Sequence, residues 1–241
     1  MSRRAPLAVF LFGCALLCGR AGQAEDIVTD ANIVTGLDIS YSIDRDDMSR
    51  EIAGMAQAIR SPEVLSAIRG GRHGRIGFAV FAWHHNQFPV LASWMLIASE
   101  DDALAAARKM EARLLVDVEM EARMKEAFFI GRLTNLSQAI DHAAEMLRAA
   151  PFATERSVIN IIGNGEDNVG EDAGIARDRV VDMGGIVNGV VLSEDPAVLD
   201  YYRQEVMGGP GAFVLSTGDA ASLVEVLRRK LLNDLVVAAA P

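Results

Sequence analysis

Short apolar runs alternate along the chain with segments in which apolar residues recur every three or four positions, the signature of an α/β domain with a mainly parallel sheet. "NIVTGLDIS" (32–40) predicts the first strand. Met48, Ile52, Met55 and Ile59 then share one face of a long helix, and Pro62 with "GGRHG" (70–74) punctuates its end and that of a shorter helix. "RIGFAVFAW" (75–83) and "FPVLASWMLI" (88–97) predict two strands. Their connection, "HHNQ", is too short for a crossover, so they form an antiparallel hairpin with the second strand at a sheet edge. Residues 99–114 read as a helix with the acidic start "SEDD", and Leu136, Ile140, Ala143 and Leu147 line another that stops at Pro151. "RSVINIIGN" (156–164), "GIVNGVVL" (185–192) and "GAFVLST" (211–217) complete six strands, separated by helices near 171–183 and 196–207. Leu223, Leu227, Leu231 and Leu235 mark a last helix near 219–236. No repeat or long linker divides this pattern. The expectation is one three-layer α/β/α sandwich with a six-stranded, mostly parallel sheet and one antiparallel edge strand.

The N-terminus departs from the pattern. Arg3 and Arg4 precede an apolar run from Ala5 to Cys18, followed by a polar stretch with small residues at Gly22 and Ala24. This is the three-part arrangement of a secretory signal, with cleavage expected after Ala24. The alternative, an uncleaved anchor, is disfavoured because the run is shorter than the roughly 20 residues of a spanning helix. The expected organisation is therefore a signal peptide over 1–24 and a single domain over 25–241, placed in the periplasm or secreted. Both cysteines, Cys14 and Cys18, lie in the removable segment, so the mature domain would carry no disulfide and depend on its core.

A hydrophobic content of 51% places the chain among globular rather than disordered proteins. Loss of Arg3, Arg4 and Arg20 would take the formal charge from −10 to −13. Nucleic acid and anionic lipid are poor partners for such a surface.

Candidate chemistry centres on "LDISYS" (37–42), where Asp38, Ser40 and Ser42 alternate after the first strand. Alternate residues of an extended segment point the same way, and one carboxylate with two hydroxyls makes half a shell for a hard cation. At the carboxyl end of a central strand, this is also where open α/β sheets bind ligands. The competing reading is local: Ser42 or Asp44 caps the following helix, and Asp44, Asp46 and Asp47 favour its dipole.

The motif resembles the Asp-x-Ser-x-Ser start of the von Willebrand factor type A (vWA) domain. "SPEVLSAIRGG", "GGPGAFVLS" and "LRRKLLNDL" resemble segments of a bacterial exported family of unknown function that carries this fold, DUF1194. The resemblance spans roughly residues 30–235. It implies a metal-ion-dependent adhesion site completed by a Thr from a later loop, matched by Thr134 in "GRLTNLSQAI", and by an Asp after the fourth strand. At that last position the chain has "GNGEDN" (163–168), so Asn164 replaces the carboxylate. The amide oxygen can bind an ion or its water but brings no charge. Asp38 is then the one anion among Asp38, Ser40, Ser42, Thr134 and Asn164. The resemblance thus implies Mg²⁺, or Mn²⁺ or Ca²⁺, bound weakly or not at all, and a protein or anionic partner at that face. Glu166 or Asp167 from the same loop could compensate. The opposite reading is a decayed site whose Asn-Gly is simply a good tight turn.

Other residues add less. His84 and His85 fall in the hairpin turn at the same end of the sheet as Asp38, His73 at the opposite end and His142 inside a helix, so no four-ligand zinc set emerges. Residues 115–130 read as a helical element leading towards Thr134. Arg45 stands where a second-ion acid would be needed beside Asp46. The sequence holds no Gly-x-Ser-x-Gly elbow, no phosphate-cradling loop and no His-Glu-x-x-His, and the mature chain no Cys nucleophile. The expected function is a binding module rather than an enzyme. A metal-free interaction domain is the first alternative and a metal-assisted hydrolase the second.

Overall fold

The computed structural model describes residues 27–39, 45–84, 86–116, 133–217 and 222–236. The six predicted strands form one sheet. They are β2 (Asn32–Asp38), β3 (Ile76–Trp83), β4 (Val90–Ile97), β6 (Ser157–Gly163), β7 (Ile186–Val191) and β8 (Val214–Ser216), in the spatial order β4-β3-β2-β6-β7-β8. All pairings are parallel except β3 with β4, the edge hairpin, whose register is irregular around Val80. A parallel ribbon of β1 (Val28–Thr29) and β5 (Ala153–Thr154), too short to leave a pattern in the sequence, lies outside the main sheet.

Helices α1 (Arg45–Ile59), α2 (Pro62–Gly70), α3 (Glu100–Val116) and α7 (Leu223–Val236) cover one face; α4 (Leu136–Arg148), α5 (Ala173–Asp182) and α6 (Pro196–Tyr201) cover the other. Their starts follow local chemistry. Ser99 and Asp102 cap α3 reciprocally, with Asp102 N–H to Ser99 Oγ at 3.2 Å and Ser99 N–H to Asp102 Oδ2 at 2.9 Å. Asp195 caps α6 ahead of Pro196, whose fixed φ suits a first helical position. The helix expected over 196–207 changes character midway: Tyr202–Val206 is a π-helical turn.

Side chains alternate across the central parallel strands. Ile33 and Leu37 of β2 and Val158 and Ile162 of β6 face α1, α3 and α7, whereas Val34, Ile159 and Ile161 face α4 and α5. Covered on both sides, all seven residues of β2 are buried. Among the described residues no helix is long and apolar enough to cross a membrane.

The leucine face of α7 is as expected, but the helix also buries Lys230 and Asp234 completely, paired at 2.8 Å. Asp234 accepts from Asn160 Nδ2 of β6 at 3.2 Å and from Asn188 Nδ2 of β7 at 3.0 Å, while Arg156 Nε donates to the Asp234 carbonyl at 3.2 Å. Asn188 Oδ1 in turn accepts Phe213 N–H. The network ties α7 to two central strands and to the approach to β8. Removing one member of a buried pair strands the other charge, so Lys230→Met should cost about 3–5 kcal/mol, measured by urea unfolding.

On the opposite face His142 of α4 stacks on Phe88 at 4.5 Å and meets the Phe81 ring edge-on at 4.9 Å. Burial lowers its pKa, with Glu145 opposing. The unfolded chain therefore takes up a proton near pH 6.5 that the folded chain refuses. Stability should fall as pH drops below 6.5 and level off once the folded-state pKa is passed. His142→Phe should remove that part of the slope in melting temperature measured against pH.

Candidate functional site

The parallel register brings the carboxyl ends of β2, β3 and β6 to one edge. Asp38 is the last residue of β2 and pairs in register with Trp83; Ile39 N–H continues the ladder to the Trp83 carbonyl at 2.9 Å. Its side chain points to the α4 and α5 face and is fully buried. Across the β2–β6 pairing it lies beside Gly163, where a Cβ would come within 3.0 Å of Asp38 Oδ2. Asn164 follows immediately and is half-buried. Thr134 is buried just before α4. Ser40, Ser42 and His85 lie outside the described residues, as does most of the 115–130 segment.

A latch joins the Thr134 segment to the loop after β6. Thr134 N–H donates to Asn168 Oδ1 at 2.9 Å, and Asn168 N–H returns to the Thr134 carbonyl at 3.1 Å. Asp167 accepts Leu136 N–H at 3.1 Å and Ser137 N–H at 3.4 Å, at the positive end of α4. Asn135, the N-cap itself, accepts Gln138 N–H and Ser137 Oγ–H and donates to Asn86 Oδ1 at 3.0 Å, drawing in the hairpin turn that carries His84. Gly170, at φ +98°, packs against Asn135; a Cβ there would be strained and 3.0 Å from its amide. The loops bearing Thr134 and Asn164 are thus one connected unit. The expectation that Asp167 could replace the missing carboxylate meets a cost, because both its oxygens are engaged in capping. Burial raises its pKa while those backbone donors oppose the rise. Glu166 on the same loop is exposed.

Beside the latch lies a groove of about 610 Å³ lined by Asp167, Glu171, Asp172, Tyr201, Gln204 and Glu205. Asp172 caps α5 and Glu171 pairs with Arg179 at 2.8 Å, so part of its negative charge is already neutralised.

Beneath the edge is a residue that the sequence reading missed. Tyr202 opens the π-helical turn and is fully buried, with its ring against Gly189 of β7 and its hydroxyl against Gly163. Burial, then the charge of Asp38, pushes its pKa well up, so it is a neutral phenol. Among the described residues its hydroxyl has no hydrogen-bond partner. Glu51 of α1 is also buried. Two glycines at the ends or middle of apolar strands, "IIGN" and "VNGVV", were the available signal that a bulky group crosses there.

Among the described residues no three His, Cys, Asp or Glu side chains converge as a metal set. What the edge offers instead is a set of oxygen groups, Asp38, Thr134 and Asn164, with a single carboxylate. That composition suits a hard, largely hydrated cation rather than a soft metal. His73, whose backbone N–H binds Asp30 at 2.8 Å, sits at the opposite end of the sheet, as expected.

Solved structures share this fold. A von Willebrand factor type A protein from Catenulispora acidiphila matches at a TM-score of 0.55 and 17% identity, covering 86% of this chain and 43% of its own. Proximal thread matrix protein 1 of the mussel byssus, in a form described as having a zinc-occupied MIDAS motif, matches at 0.55 and 18%, covering 88% and 49%. The N-terminal domain of TFIIH p34 matches at 0.50 and 11%, covering 83% and 97%. The chain thus spans less than half the length of the first two. A search of curated proteins found no match. The family model described as "Protein of unknown function (DUF1194)" matches residues 28–239, nearly the whole described fold, and the chain belongs to that family.

Proposed function

We propose that the chain is an exported binding module, freed of residues 1–24, that engages a protein partner through a divalent cation at the carboxyl edge of the sheet. Asp38 would ligate the ion with Ser40, Ser42 and Thr134, and Asn164 would act through a bound water. The supporting observation is the fully buried Asp38 carboxylate at the end of a central strand, against Gly163, at the edge to which the latched Thr134 and Asn164 loops also lead. One carboxylate with hydroxyl and amide groups at the same edge is a donor set that a hard cation suits. The acidic groove alongside repels a free anion. It favours a protein that offers one carboxylate to the ion and a basic group to Glu205 in the groove.

A metal-free interaction domain is the competing reading, supported by Asn164 in place of a carboxylate and by the capping role of Asp167. Titration with Mg²⁺ or Mn²⁺ separates the two. A ligand that binds only the folded state adds about 2.7 kcal/mol at 100 times its Kd, so melting temperature should rise with ion and not in Asp38→Ala. Asn164→Asp should tighten binding about tenfold by adding a second charge. An unchanged melting temperature at millimolar ion, in both the native chain and Asn164→Asp, would favour the metal-free reading.

A further inference from the structure

We propose that Tyr202 is a positioning residue for the ion site, its hydroxyl donating to the Asp38 carboxylate when an ion is held; this rests on the ion reading above. Three independent features of the fold carry it. The phenol oxygen is fully buried and has no hydrogen-bond partner among the described residues, yet it ends at the Gly163 shoulder where Asp38 also ends. A Cβ on Gly163 would lie 2.7 Å from Tyr202 Oη and 3.0 Å from Asp38 Oδ2, so the same missing side chain leaves room for both groups.

The ring has its own glycine. A Cβ on Gly189 would meet Tyr202 Cδ1 at 2.8 Å. Gly189 thus serves the ring and Gly163 serves the hydroxyl. If packing were the whole purpose, Phe at 202 would fill the same space without a buried hydroxyl. Glycine in a strand gives up packing and conformational economy, which makes the second one informative. The third feature is the π-helical turn, Tyr202–Val206, which begins at this residue; such turns interrupt regular helices and are frequent at functional sites.

The chemistry fits a carboxylate that ligates through one oxygen. The ion takes one oxygen of Asp38, and the other needs a donor to hold the group in place. A neutral phenol supplies a charge-assisted hydrogen bond there without adding a competing charge. With Asn164 in place of an acid, the orientation of the remaining carboxylate matters more than in a site with two.

The test compares the purified chain with Tyr202→Phe, each with Asn164 native and as Asn164→Asp, using Mn²⁺ as the probe. Calorimetry reads the ion affinity, and melting temperature in EDTA reads the fold. The expected result is Mn²⁺ binding weakened about tenfold by Tyr202→Phe, with melting temperature in EDTA unchanged or raised. A tyrosine that only packs would leave the Mn²⁺ affinity unchanged as well. Full affinity in Tyr202→Phe overturns the role of Tyr202 and leaves the ion reading standing. No Mn²⁺ binding by the native chain or by Asn164→Asp overturns the ion reading, and this role with it.

Discussion

Parallel pairing of β2 on both sides, with helices over both faces, is the constraint on which the rest of the molecule depends. It buries every residue of the strand and leaves polar groups two places to go. A polar side chain inside the sheet must find a partner on the helix above it, because an unsatisfied buried group costs about 1–3 kcal/mol. Otherwise it must sit at the strand end, where loops converge. Asn160 and Asn188 take the first course and meet Asp234 on α7. Asp38 takes the second. The two solutions lie on opposite faces because Asn160 and Gly163 differ by an odd number of positions along β6.

Most of the architecture was legible because its signal is a period. The leucines of α7, the alternation of β6 and the short "HHNQ" connection each reduce to geometry that one sequence contains. The Asp234 network was not read, since Lys230 and Asp234 are spaced like any solvated i, i+4 pair on a helix. The two asparagines were the clue: amides inside "VINII" and "IVNGVV" are apolar-run exceptions that require buried partners. Site residues divide similarly. Asp38, Thr134 and Asn164 came from a motif and fall at one edge of the sheet. Asp167, Asn168 and Asn135, which hold the edge together, came from no motif, because backbone capping between loops 30 residues apart leaves no local pattern. Tyr202 depends on a π-helical turn, whose extra residue per turn breaks the helical period that would have placed it.

The latch also bears on how the edge could respond to a partner. Thr134 and Asn164 sit on segments that share hydrogen bonds through Asn168 and Asp167 and are capped onto α4, a helix whose inner face is buried. Movement of either segment must break those bonds or carry α4 with it. Loops held in this way are preorganised, and a partner that met them would spend less of its interaction energy on ordering them.

Preorganisation matters more when charge is scarce. A divalent cation held by Asp38 alone would keep one net positive charge, whereas a second carboxylate at 164 would neutralise it. On the proposed reading, the substitution at 164 would weaken the grip of the protein on the ion and strengthen the pull of the ion on an acidic group from outside. Ion and partner would then be mutually dependent, each raising the affinity of the other by the same factor, as linkage requires. The surrounding acidity acts in the same direction, since a strongly negative surface repels free anions over a Debye length of about 8 Å at physiological salt. An acidic group can reach the ion only when it arrives on a surface that brings compensating basic residues. Loss of one charge at 164 would thus convert a site that stores an ion into one that holds it only together with a matching protein.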